Sequence, residues 1–292
     1  MSDIVAVEYA KISASNILIY KYLENYTRKR NKTSFTTEKN KKGKVQGSLS
    51  DAAKKRIKKI VTIWISAVLF YYKSKNYNLD KIAKQVKFIT LTLPSDQAHD
   101  DKFLKRELLQ LFIKNLKNKY GLKNYLWINE TQKNGNLHFH IITDIYVKNT
   151  AIQKIWNKIL DKHGYIDKFE KKHGHRNPPT TDIHTIKKIN NIVAYLSKEA
   201  TKGQQSRKIE GKMWSCNKEL LELDYYEILF DANLGNFLHN FVNKKPTRQL
   251  KDNFFELIFF EAFDFFEFMD FRKSNDLINY YKDVMQHLFK TK

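Results

Sequence analysis

YLWINETQKNGNLHFHIITD, from Tyr125 to Asp144, is the stretch on which the fold turns. Two runs rich in aromatic and β-branched residues, Tyr125 to Glu130 and Leu137 to Asp144, flank Asn134-Gly135, a pair that favours tight reversal, so the stretch reads as a β-hairpin. Side chains alternate across a strand, which sends His138 and His140 to one face and Phe139 to the other. Whether Glu130 joins the imidazoles depends on the turn. A two-residue turn at Asn134-Gly135 sets Glu130 opposite Phe139, on the wrong face. A three-residue loop, Lys133-Asn134-Gly135 with Gly135 left-handed, sets it opposite His138, and glycine at the third position is what that loop prefers. Asp144 shares the parity of the histidines and is the alternative carboxylate. Two imidazoles and a carboxylate with open positions suit Mg, Mn or another divalent ion that also binds phosphate oxygens.

Outward from the hairpin the pattern alternates. Phe88 to Pro94 reads as a strand ended by proline, and Leu104, Leu108, Leu111, Phe112 and Leu116 make an amphipathic helix that Gly121 closes. After the hairpin, Ile152, Ile155, Trp156 and Ile159 place a helix over Thr150 to His163. A loop to Pro179, a short strand at Asp182 to Ile186 and a helix over Lys188 to Lys202 follow. The order β-α-β-β-α-β predicts an α+β domain with a ferredoxin-like antiparallel sheet. RNA-recognition modules and several nucleases share that order, so architecture alone does not decide function.

The flanks read differently. An apolar patch at Ile17 to Tyr22 precedes Thr27 to Gly47, a Lys- and Asn-rich run expected to be a flexible basic loop. Ser50 reads as the N-cap of a helix running to Phe70 that carries Lys54, Lys55, Arg56, Lys58 and Lys59 near its start, a candidate DNA-contacting face. Asp252 to Phe271 holds nine phenylalanines and six acidic residues. Its acids gather on half of a helical wheel, so it reads as an acidic amphipathic helix packed on the body or on a second copy, a possible homo-oligomer contact. The expected organisation is a basic extension over 1–85 with a helix near 50–72, a catalytic domain over 86–245 and a helical extension over 246–292.

Lys and Arg number 53 against 31 Asp and Glu, a net charge of +22, which points to a polyanion as partner. Cys216 is the single cysteine, so an internal disulfide and a cysteine-rich zinc site are both excluded and any metal uses His and carboxylate. With no signal-peptide start and no apolar stretch long enough to span a membrane, a cytoplasmic protein, in a host cell if viral, is expected. No G-x-x-x-x-G-K-[ST] phosphate loop is present, so a helicase would be supplied by the host.

Tyr195-Leu196-Ser197-Lys198 completes the pattern, because positions i and i+3 share one helix face and set a phenol beside an ammonium. Taken in order, the strand at Phe88 to Pro94, the Gly135-Asn136-Leu137-His138-Phe139-His140 run and Tyr195-x-x-Lys198 resemble the three motifs of the HUH endonuclease superfamily. The likeness is to the replication initiators of small rolling-circle plasmids and single-stranded DNA phages, and Met213-Trp214-Ser215 is similar to a flank seen in that group. The resemblance implies that His138 and His140 are metal ligands with Glu130 as third. It further implies that Tyr195 is the nucleophile, Lys198 its electrostatic helper, and Thr90, Thr92 and Lys202 DNA-contacting or supporting residues. Glu199 stands where a two-tyrosine initiator keeps its second nucleophile, so one active tyrosine per chain is expected. The implied activity is nicking and rejoining of single-stranded or hairpin origin DNA through a 5′-phosphotyrosine, leaving a 3′-hydroxyl for a host DNA polymerase. The alternatives are an HUH transposase or relaxase, or a non-catalytic nucleic-acid-binding protein on the same sheet.

Overall fold

The structure, a computed structural model, describes residues 5–13, 16–24, 49–75, 77–78, 81, 84–185, 207–252, 255–260 and 275–289. In chain order the elements are β1 (Val5–Ile12), β2 (Asn16–Glu24), α1 (Asp51–Ser74), β3 (Lys87–Leu91), α2, β4 (Tyr125–Thr131) and β5 (Leu137–Thr143). They continue with α3 (Asn149–Lys162), α4 (Tyr165–His173), β6 (Thr181–Thr185), β7 (Trp214–Cys216), α5 (Lys218–Leu221) and β8 (Tyr226–Leu229). The last are α6 (Ala232–Lys244), β9 (Thr247–Lys251), β10 (Phe255–Phe260) and α7 (Asn275–Phe289). Helix α2 is three contiguous segments, Asp101–Phe103, the π-helical Leu104–Leu109 and Gln110–Tyr120. Among the described residues no helix is long and apolar enough to cross a membrane.

The chain divides into two units, one of residues 1–44 and 224–281, the other of 45–223 and 282–292. The first is an antiparallel sheet in the order β8-β1-β2-β10-β9. Within it the apolar patch at Ile17 to Tyr22 lies in β2, and Phe241 of α6 meets Phe260 of β10 edge-on at 5.2 Å. This corrects two expectations, the helical N-terminal extension and the helix over Asp252 to Phe271. Phe255–Phe260 is a strand between β2 and β9, with Ile258 and Phe260 buried and Phe255 exposed, a period of two rather than 3.6. The acids suggested a wheel, but aromatic residues suit a pleated surface, and pairing on both edges outweighs the helical pattern. Residues 261–271, and the basic run over Thr27 to Gly47, lie outside the described residues.

The second unit is built on the sheet β6-β3-β5-β4-β7, antiparallel throughout. Its first strands and helices follow the expected order, strand β3, helix α2, hairpin β4-β5, helix α3, strand β6, with the Met213-Trp214-Ser215 flank contributing β7 at the β4 edge. One face of β3 and β5 carries Ile89, Leu91, Phe139 and Ile141, all buried. The apolar faces of α2 and α3 supply the cover: Phe112 meets Trp156 edge-on at 5.7 Å and the Trp156 indole N–H donates to the Thr92 carbonyl at 2.9 Å. Each such fully buried large side chain contributes about 1.5–3 kcal/mol. Helix α1 belongs to the opposite face, where Trp64 Nε1 donates to Asp144 at 2.9 Å. Ser50 caps α1, its hydroxyl accepting from the Ala53 N–H at 3.2 Å, and every residue from Ile60 to Phe70 is buried, as befits a helix apolar all round in its second half.

Helix α4 corrects the loop expected between His163 and Pro179. Its apolar content is too short for a period to register, but Tyr165 and Ile166 are buried and left-handed glycines, Gly164 at φ 74° and Gly174 at φ 74°, bracket it.

Candidate metal centre

The β4-β5 hairpin has the longer of the two turns considered. Gln132 N–H donates to the Asn136 carbonyl at 2.9 Å and Gly135 N–H to the Gln132 carbonyl at 2.9 Å, leaving Lys133, Asn134 and Gly135 as the loop. Gly135 has φ 87°, a conformation that an L side chain resists. The consequence is the register Glu130↔His138, with Ile128↔His140 and Thr90↔His140 on the neighbouring pairs.

Glu130, His138 and His140 come together as this register requires. Their ligand atoms all lie within 4.8 Å of one another. Glu130 Oε1 is 3.0 Å from His140 Nε2 and 4.0 Å from His138 Nδ1, and the two imidazole rings are 4.5 Å apart. His140 is the inner member, its side chain 2 % exposed, whereas those of His138 and Glu130 are 15 % and 14 % exposed, so the group opens outward through the latter two. The donor set, two nitrogens and a hard carboxylate oxygen, is of the kind that divalent ions with open coordination positions accept. Asp144 is held elsewhere: its Oδ2 accepts from Trp64 Nε1 and Asn124 Nδ2, both at 2.9 Å, and burial pushes its carboxyl up to about 6. The metal-ligand group among the described residues therefore contains Glu130 and not Asp144.

Thr90 and Thr92 turn inward. The Thr90 hydroxyl sits 3.1 Å from His140 Nδ1, and Phe88 stacks on the same imidazole with centroids 5.4 Å apart. The Thr92 hydroxyl donates to the Thr180 carbonyl at 3.1 Å. Thr90 is thus the partner that orients His140 so that Nε2 faces Glu130, the role a second hydrogen bond commonly plays for a ligating histidine. Thr90→Val is expected to lower Mn affinity about 10- to 100-fold by titration calorimetry, while Thr92→Val leaves it unchanged. Equal affinities for both variants would show that Thr90 does not orient the ligand.

A cluster that the sequence did not announce holds the hairpin from outside. The Arg207 guanidinium grips Asp101 through two nitrogens, at 2.8 and 2.6 Å, and donates to the Gly135 carbonyl at 2.7 Å and to Gln97 Oε1 at 3.1 Å. Gln97 Oε1 in turn accepts from the Leu137 N–H at 2.7 Å, and the Gln97 backbone N–H donates to Asn136 Oδ1 at 3.0 Å. Burial would raise the Asp101 carboxyl, but hydrogen bonds from Arg207, Gln97 and the Glu210 N–H outweigh it and hold it at about 2. A depressed carboxylate stabilises the fold above its unfolded value, and that contribution is lost as pH falls from about 4 through about 2. Asp101→Asn is therefore expected to reduce stability by about 2–3 kcal/mol at pH 7, with the gap to wild type closing below about pH 4 in urea titrations. A gap independent of pH would show that the Asp101 charge is not what matters.

The basic residues near the start of α1 are surface groups, Lys55, Arg56 and Lys58 exposed and Lys54 bonded to Asp51 at 3.2 Å. Tyr195, Lys198, Glu199 and Lys202 lie outside the described residues.

The fold and site define a class first: an antiparallel α+β domain whose central strand presents two histidines to a carboxylate on its neighbour, a candidate divalent-metal centre. Residues 86–204 match the family described as Replication-associated protein ORF2. That span contains all three motifs, so the resemblance read from them is borne out and the matched segment belongs to a replication-initiator family. No curated protein and no solved structure matches the chain.

Proposed function

We propose that this replication-associated chain nicks and rejoins single-stranded or hairpin origin DNA to start rolling-circle replication, with Tyr195 as nucleophile. The observation that carries the reading is the Glu130, His138, His140 group, brought together by the hairpin register inside the segment that matches the family. The order β6-β3-β5-β4, with helices α2 and α3 as crossovers, supports a ferredoxin-like HUH arrangement. A divalent ion, Mg or Mn, held by these three side chains would neutralise charge on a scissile phosphate oxygen. Thr90 orients His140, and the Arg207 cluster keeps the hairpin in the register that brings Glu130 to the histidines. The Tyr195 oxygen forms a bond to phosphorus as the bond to the 3′-oxygen breaks; the phenol proton goes to solvent and the departing oxygen takes one up. A phenol titrates near ~10, so Lys198, one turn away on the expected helix, is assigned to favour the phenolate. The phosphotyrosine conserves the bond energy for rejoining, and a host polymerase and helicase would act on the free 3′-hydroxyl and the displaced strand. The basic face of α1 and Lys202 are assigned to DNA backbone contact.

The test is denaturing electrophoresis after incubation with candidate origin oligonucleotides. A protein–DNA adduct that forms with Mn and not with chelator is expected. Tight binding with no adduct under any metal would favour a non-catalytic nucleic-acid-binding protein.

A further inference from the structure

On the side of the second unit covered by α2 and α3, those two helices border a groove of about 450 Å³. Its floor is apolar, from Leu111, Ile155 and Ile159, and its walls carry Lys119 on α2 and Lys154, Lys158 and Lys162 on α3. All four lysines are exposed, and no lining residue is acidic. Successive lysines four apart on one helix lie about 6 Å apart along its axis and point the same way. Asp161, the acidic residue of α3, is bonded to Arg176, which also takes Asp167 and Glu170 of α4. The row of lysines therefore keeps its full field. At the end of α2, Tyr120 is 39 % exposed beside the groove, an aromatic face with no core to serve.

We infer that the α2-α3 groove is a second nucleic-acid site, binding the sugar-phosphate backbone of single-stranded DNA along its lysines and stacking an unpaired base on Tyr120. The inference rests on the reading that the chain acts on DNA. It assigns the groove a task distinct from chemistry: the metal-ligand side chains project from the opposite face of the sheet, by strand alternation, so the groove holds strand away from the point of cleavage. A row of cations flanked by an aromatic is the combination that single strands reward, because the charge tracks the backbone and every base has a face to stack. A duplex offers phosphates but no unstacked base, so Tyr120 makes the site prefer the single strand.

The experiment is fluorescence anisotropy with a labelled oligothymidine, in chelator so that no cleavage intervenes, across a salt series. The variant carries Gln at Lys119, Lys154, Lys158 and Lys162; the charge-matched control carries Gln at the exposed Lys148, Lys168, Lys171 and Lys172. The groove variant is expected to bind at least about tenfold more weakly, with the slope of log affinity against log salt shallower by about 3, from about 0.7 for each phosphate no longer neutralised. Tyr120→Ala is expected to lose about fivefold or more for the single strand and nothing for a duplex of the same length. Equal affinities and slopes for the groove variant and the control overturn the groove while leaving the Tyr195 chemistry intact. Wild-type protein that binds no single strand at all overturns both.

Discussion

Tyr195→Phe is expected to abolish the covalent protein–DNA adduct while leaving equilibrium binding of the same oligonucleotide nearly unchanged. The substitution removes one hydroxyl and keeps the ring, so whatever the aromatic packs against or stacks upon survives, whereas the bond to phosphorus has no atom left to form it. Loss of a nucleophile is among the largest single effects that an enzyme shows, about 10⁴-fold or more in rate. Adduct formation by Tyr195→Phe at a measurable rate would remove Tyr195 from the role. Because Glu199 occupies the position of a second nucleophile, one linked strand per chain is expected at saturation, and release then needs either a second copy or return of the free 3′-hydroxyl.

His140→Ala is expected to lower Mn affinity by more than about 100-fold, since the loss of a ligand exceeds the 10- to 100-fold typical of a residue that merely orients one. His140 is the inner member of the group, 3.0 Å from Glu130 and backed by Thr90 and Phe88, so no neighbouring side chain can swing in to replace it. Nicking should fall with metal binding, and oligonucleotide binding in chelator should persist. Asp144→Asn is the contrast: its carboxylate is taken up by Trp64 and Asn124, so metal affinity should hold. If Asp144→Asn lost the metal and Glu130→Gln retained it, the assignment of the third ligand would be wrong.

The site was legible because its determinants are local. Alternation along a strand needs only adjacent residues, and the choice between two turns rested on a glycine at one position, so the partnership of Glu130 with His138 is readable from the residues alone. The π-helical segment at Leu104–Leu109 and the Arg207-Asp101-Gln97 cluster are not. Arg207 meets its partners across more than a hundred residues of chain, and nothing in the spacing of an arginine, an aspartate and a glutamine distinguishes them from solvated surface groups. Phe255–Phe260 shows the opposite case. A pattern of acids compatible with a helix was present, but the segment is flanked by β2 and β9, and pairing partners contributed from the far end of the sequence decided its conformation.

The most direct measurement on the central claim is peptide mapping by mass spectrometry of the DNA-linked protein formed with Mn and a cleaved origin oligonucleotide. A single linked peptide is expected, containing Tyr195 with its phenolic oxygen esterified to the 5′-phosphate of the downstream strand. A linkage to another residue, for example Tyr165 or Tyr225, or a cleaved strand with no linked peptide, would contradict the account.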